Sequence, residues 1–234
     1  MLAIFKREVK AYFYSPVAYV LAGFFILLSS IFFLSNLGAQ MADFNWNLSN
    51  MTVLLLFIIP ILTMRILAED RKNGTEVLLV TSPSSLTGIV VGKYLASLVV
   101  FLAMVGLTFI YQIILFSFGK PDVPPLIGGY IGFILLGAAM VAVGVFASSL
   151  TENQVISAVV GFVSLLIMWL VDGVASFVGG IPAKILSWFS ILSRFDDFSK
   201  GILKLSPIVY YISFIAVFLF LTIRIIDKRR WSQG

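Results

Sequence analysis

The chain has 234 residues, of which 60% are apolar and 12% charged, with a formal net charge of +5; an ordinary soluble domain carries roughly a quarter charged residues. So much apolar surface excludes a soluble fold, and it comes in blocks long enough to cross a hydrocarbon layer about 30 Å thick, which takes roughly 20 helical residues. Cysteine and histidine are absent, which removes disulfides, the cysteine nucleophile, the usual general base and the commonest metal ligands, so neither catalysis by this chain alone nor a metal site is expected.

In the first stretch, Leu2, Phe5, Val9 and Phe13 fall along one helical stripe, with Lys6, Arg7 and Lys10 on the remainder. This pattern predicts a helix lying in the membrane interface over 1–15. A basic start before an apolar run also opens a signal peptide. The run from Val17 to Leu34 is longer than such a core and lacks an A-x-A-like cleavage site, so it reads as a retained anchor and first span, about 17–35. The polar stretch Asn36 to Asn50 reads as a loop holding Asp43 and Trp46. A second span, about 51–67, contains Pro60, which removes one helical hydrogen bond and is expected to kink it.

The following segment, 68–88, carries Glu69, Asp70, Arg71, Lys72 and Glu76. It must lie outside the hydrocarbon, because each charge at the bilayer centre costs on the order of 3 kcal/mol. The third span covers about 89–118 and is broken by Gly119, Pro121, Pro124 and Pro125. A fourth, 126–150, is joined to a fifth, 154–178, by Thr151, Glu152 and Asn153, a connector that forces an antiparallel hairpin. Gly179, Gly180 and Pro182 close the fifth. Between 183 and 206, the segments Ile185–Leu192 and Phe195–Leu205 are too short and too charged to span, and read as external re-entrant or interfacial helices. The last span, 207–226, ends in the basic anchor Lys228, Arg229, Arg230 and Trp231. The sequence thus predicts an all-α polytopic membrane protein: a single domain over 1–234 with six transmembrane helices, an N-terminal interfacial helix and a short helical external hairpin before the last span.

With six spans both termini share a side. On that side fall Lys6, Arg7, Lys10, Arg65, Arg71, Lys72, Lys93, Arg224, Lys228, Arg229 and Arg230, against Lys120, Lys184, Arg194, Lys200 and Lys204 on the other. The positive-inside rule then places both termini in the cytoplasm of a multi-pass plasma (bacterial inner) membrane protein.

Gly88-Ile-Val-Val-Gly92-Lys93-Tyr94 has the outline of a phosphate-binding loop, but that loop needs four residues between its glycines and a Ser or Thr after the Lys. Three residues and a tyrosine stand here, so any use of ATP belongs to a partner. In the fourth span, Gly128 with Gly132, Ala138 with Ala142, and Gly144 with Ser148 have the spacing that lets helices approach closely, chiefly within the same bundle. Asp172 is the one acidic residue well inside a predicted span and is a candidate pathway residue on that ground.

The segment Met64-Arg-Ile-Leu-Ala-Glu-Asp-Arg-Lys-Asn-Gly-Thr-Glu-Val-Leu-Leu79, followed by Ser82-Pro83 and Gly92-Lys93, resembles the part between the second and third spans of ABC-2 type transporter permeases. Ala147-Ser-Ser-Leu-Thr-Glu-Asn-Gln154 is similar to that family's fourth-to-fifth connector. Arg194-Phe-Asp-Asp-Phe-Ser-Lys-Gly201 and the closing Arg229-Arg230-Trp231 resemble the branch of gliding-motility and nitrous-oxide-reductase-associated permeases. That branch commonly has His where Arg194 stands, so no metal role is carried over.

The resemblance implies a permease subunit working with cytoplasmic ABC ATPase subunits, with a second copy or homologous permease, and with an auxiliary membrane subunit. It implies no cofactor bound by this chain, ATP and Mg being held on the partner ATPase, no nucleic acid, and the lipid bilayer as solvent. It implies a coupling segment at Glu69, Arg71, Gly74, Thr75, Glu76, Leu78, Leu79 and Pro83, where a short helix joined to two spans passes a nucleotide-driven rotation into the bundle. Asp172, Phe195 and Phe198 are the candidates for a pathway or outer gate. The expected function is transport, in the exporting direction. The alternative is an ATPase-driven mechanical or scaffolding subunit acting on extracytoplasmic partners, a role that usually needs a larger external domain than 36–50, 119–125 and 179–206 provide.

Overall fold

Runs of this apolarity fold as helices because only a helix satisfies its own backbone groups in hydrocarbon, and the side chains of Ser15, Asp43, Ser85 and Asn153 cap four of their starts. The computed structural model describes residues 1–39, 43–76, 85–119, 121–178, 190–202 and 204–232. Among these it has helices α1 (Leu2–Tyr14), α2 (Pro16–Gly38), α3 (Phe44–Thr63), α4 (Ala68–Lys72), α5 (Leu86–Leu107), α6 (Phe109–Phe118), α7 (Val123–Leu150), α8 (Gln154–Val178), α9 (Phe195–Ser199) and α10 (Leu205–Ser232), and no strand. Six stretches are long and apolar enough to span: α2, α3 with the turn into α4, α5 with α6, α7, α8 and α10. The protein is an all-α polytopic membrane protein.

Three boundaries differ from the sequence expectation, each for a local reason. The stretch 36–50 is mostly helix rather than loop. The Asp43 carboxylate accepts the Asn45 N–H at 2.8 Å, so α3 starts at Phe44, and Asn36 reaches across to donate to the Asp43 carbonyl at 2.6 Å. The third span is two helices. The Thr108 hydroxyl donates to the Val105 carbonyl at 2.6 Å, and the Thr108 N–H goes to the same carbonyl, so a threonine competing for helix acceptors turns the chain at that point. Pro124 and Pro125, expected to break the chain, instead lie in the first turn of α7, where a missing N–H costs nothing.

α7 is the central element. In its most apolar stretch 78% of residues are buried within the chain, against 67% for α3 and only 17% and 11% for α8 and α10. Its small residues make this possible. A Cβ on Gly132 would stand 2.5 Å from Phe198 Cβ, and one on Gly128 would stand 2.7 Å from the Phe198 carbonyl oxygen. α9 therefore seats directly on the α7 backbone. Gly201 turns the chain away from α9 at φ +74° with the Pro125 backbone 3.0 Å from where a Cβ would be, a conformation that favours glycine. The expected helix over Phe195–Leu205 is cut to five residues, and most of Ile185–Leu192 lies outside the described residues. Gly144 meets Thr63 of α3, so the small-residue spacing of the fourth span serves packing within the bundle.

Gly132→Ala is expected to lower the thermal midpoint of the detergent-purified protein, overpacking of this kind costing about 1–3 kcal/mol. Adding Phe198→Ala should recover part of the loss. Equal destabilisation with and without Phe198 would show that the two residues do not share this contact.

Candidate functional site

The candidate site is the charged end of the bundle, where α2, α5 and α8 begin and α3, α7 and α10 finish. Here α3 ends in a turn through Met64, Arg65, Ile66 and Leu67, and α4 projects from it. The turn is fastened to α7 by one hydroxyl. Ser148 Oγ accepts the Leu67 and Ala68 N–H groups, each at 3.1 Å, and donates to the Met64 carbonyl at 3.0 Å. α4 is only five residues long, ends that would fray if left alone. Asn73 N–H returns to the Glu69 carbonyl and Gly74 takes φ +70°, a left-handed helix stop suited to glycine. The Thr75 hydroxyl then closes back onto Asp70, 2.8 Å from Oδ1.

Two ion clusters flank α4. On one side Lys93 of α5, with 1% of its side chain exposed, donates to Glu8 Oε1 of α1 at 3.0 Å and to the Ile66 carbonyl at 2.6 Å, and lies 2.6 Å from Asp70 Oδ2. Arg7 pairs with Glu8 at 2.6 Å and approaches Asp70 at 4.0 Å. The hydrogen bond that Arg7 donates to Glu8 holds its guanidinium pKa above the ordinary range. On the other side Arg71 pairs with Glu152 of the α7–α8 connector at 2.8 Å, and Glu76 lies 3.6 Å from Arg229 of α10, which also donates to the Ser149 carbonyl. Ion pairs thus run from the residues of α4 and the turn after it to α1, α5, the α7–α8 connector and α10.

α1 lies across α5 at a glycine pair. A Cβ on Gly92 would meet the Met1 carbonyl at 3.3 Å, and one on Gly88 would meet Met1 Cβ at 3.6 Å. Farther along, Tyr12 donates its hydroxyl proton to the Leu62 carbonyl at 2.8 Å, and burial pushes its pKa up to about 12. Arg65 covers the Tyr12 ring at 4.9 Å and donates to Ser15 Oγ at 3.0 Å. Between these elements opens a cavity of about 400 Å³ lined by charges of both signs, Arg7, Glu8, Arg65, Glu69, Asp70 and Lys93 among them.

Of the residues nominated from sequence, Glu69, Arg71, Gly74, Thr75 and Glu76 are gathered at this end. Glu69 is exposed there without an ion pair or side-chain hydrogen bond among the described residues, whereas Arg71 and Glu76 are committed within the chain. Leu78, Leu79 and Pro83 lie outside the described residues, as does the side chain of Asp172. Phe195 and Phe198 sit at the opposite end, 1% and 0% exposed. Sequence reasoning counted Lys93 as an ordinary flanking charge. The structure corrects this, and the available signal was its place seven residues inside a helix start, one residue beyond the glycine pair.

The fold is that of a multi-span helical membrane protein with a charged elbow at one end. Residues 40–226 match the family described as ABC-2 family transporter protein, and the chain belongs to that family of transporters. It is also similar to a protein named "Probable multidrug ABC transporter permease YbhR" from Escherichia coli strain K12 and from strain O157:H7, 27% identical over 146 residues in each case. The match covers 62% of this chain and 39% of those relatives, so the chain aligns with less than half of their length.

Ser148→Ala removes the acceptor of two backbone N–H groups and should destabilise the purified protein by about 1–3 kcal/mol. Ser149→Ala, whose hydroxyl only returns to the Phe146 carbonyl of its own helix, should cost less in the same thermal unfolding measurement. Equal midpoints would remove Ser148 as the fastening of the elbow.

Proposed function

We propose that this chain is the permease subunit of an ATP-binding cassette exporter, driven by ATP hydrolysis on a separate cytoplasmic ATPase and working beside a second copy or a homologous permease. Membership of a transporter family and similarity to a relative named as a multidrug permease support the reading. The observation that carries it is the elbow. A five-residue helix bearing Glu69, Asp70, Arg71 and Lys72 stands at the end of a span and is ion-paired on both flanks to other elements of the bundle, so a push on it is delivered to several spans together.

In this reading Glu69, Arg71, Gly74, Thr75, Glu76, Leu78, Leu79 and Pro83 form the coupling segment, with the leucines filling a groove of the ATPase. Phe195 and Phe198 close the outer end and Asp172 stands near its mouth. ATP and Mg remain on the partner. The membrane is the plasma membrane, with both termini cytoplasmic, as the distribution of Lys and Arg supports. An auxiliary membrane subunit completes the assembly.

Leu78→Asp and Leu79→Asp should leave insertion intact while co-purification of the ATPase and its hydrolysis in the complex fall together, since an apolar contact is replaced by a buried unpaired charge. Full retention of both would end the coupling role of this segment. Orientation is checked with single cysteines, which a chain without native cysteine allows. Arg71→Cys should resist an impermeant thiol reagent added to intact cells, and Asp122→Cys should react. The reverse pattern would invert the topology.

A further inference from the structure

Building on the coupling role proposed for α4, we propose that Lys93 is a positioning residue of that segment: its buried ammonium fastens α1 and α4 to α5, so that the N-terminal helix moves with the coupling helix as one lever instead of serving only as a surface anchor.

Three observations converge on this. The Lys93 ammonium touches three elements: it donates to Glu8 of α1 and to the Ile66 carbonyl of the turn after α3, and it is ion-paired with Asp70 of α4. The Lys93 side chain is 1% exposed, and a buried ammonium left without its partners is strongly disfavoured. Separating the three elements therefore breaks the ion pairs and the hydrogen bonds that Lys93 makes between them.

Second, α1 is held at both ends. Near its start Met1 and Ile4 lie against Gly92, where a Cβ would stand 3.3 Å from the Met1 carbonyl oxygen and 3.6 Å from Ile4 Cγ2. Near its end Tyr12 donates to the Leu62 carbonyl and Arg65 donates to Ser15 Oγ. A helix fixed at both ends to the α3 terminus and to α5 follows their rotation.

Third, the charges facing the ammonium are balanced within this cluster. Arg7 offsets the second carboxylate, pairing with Glu8 and standing 4.0 Å from Asp70. Lys6 and Lys10, on the exposed side of α1, take no acidic partner among the described residues. The inner face of α1 is thus built for α4 and α5, and its outer face is left to the membrane surface.

The test uses the full permease with its ATPase in lipid nanodiscs and spin labels on three exposed positions: Lys10→Cys on α1, Lys72→Cys on α4, and Ile156→Cys on α8 as reference. On trapping with ATP and vanadate, the 72–156 and 10–156 distances should shift together. The triple variant Lys93→Met, Glu8→Gln and Asp70→Asn keeps side-chain shape and removes the charges. In it the 72–156 distance should still shift while the 10–156 shift is lost and the 10–72 distribution broadens. A cluster that merely stabilises the fold would leave the two shifts matched in the variant, and that result would overturn the lever. A shift at 72 without one at 10 in the native protein would overturn it as well while sparing the coupling role of α4. No shift at 72 would remove the coupling role and the lever together.

Discussion

An ammonium group with almost no exposed surface needs partners around it, and the charged end of this molecule is arranged around supplying them to Lys93. A lysine this buried is tolerated only when paired, and its partners are a carboxylate from the N-terminal helix, another from α4 and a backbone carbonyl from the intervening turn. The rest of the elbow follows from holding those acceptors still. Ser148 pins the turn that presents Ile66, Thr75 returns to the carboxylate of Asp70, and Arg7 neutralises the charge left over on Glu8.

A different constraint governs the middle of the bundle, where the buried polar groups are uncharged and helix association depends largely on how closely backbones approach. α7 meets it with glycine. Gly132 admits Phe198 from the short helix α9, Gly137 admits the ring of Phe101 from α5, and Gly144 admits Thr63 from α3. One smooth helix therefore collects three neighbours, while α8 and α10 keep most of their apolar surface outward, as helices facing lipid or another chain do. Energy at the charged end comes from satisfied charge, and energy in the centre from contact area. α7 is the element common to both, through Gly144 and Ser148 one turn apart.

The six long apolar helices, the N-terminal helix and the charged turn after the second span were legible because each rests on one-dimensional quantities: run length, stripe periodicity and charge density. What was not legible depended on side chains choosing partners across the fold. Asp43 capping α3 turned a polar loop into helix, since Asn36, Asn45 and Asn47 are buried rather than solvated. Thr108 divided a run that hydropathy alone joins, because its hydroxyl competes for a carbonyl and meets Tyr130 of α7 at 3.0 Å. The partners of Lys93 were the least legible. A lone basic residue near the end of an apolar run ordinarily reaches water, and only Glu8, 85 positions earlier in the chain, shows why this one does not.

The segment that resembles the family pattern can now be divided by duty. Arg65 holds α1, Asp70 pairs with Lys93, Arg71 with Glu152, and Glu76 faces Arg229, while Gly74 and Thr75 end the helix. These residues are largely committed to keeping the elbow attached, so a recurring pattern here does not by itself mark a surface for another protein. Glu69 and Lys72 differ. Both are exposed on α4, and neither takes an ion pair or side-chain hydrogen bond from the described residues. In the proposed coupling role a partner would meet their charges first, and exposed charges steer and orient encounter more than they add affinity. Affinity would then have to come from apolar contact, of the kind that Leu78 and Leu79 carry in the sequence. On the coupling role proposed for α4, the elbow separates two tasks that the sequence pattern runs together: the inward-facing charges transmit force, and the outward pair orients whatever applies it.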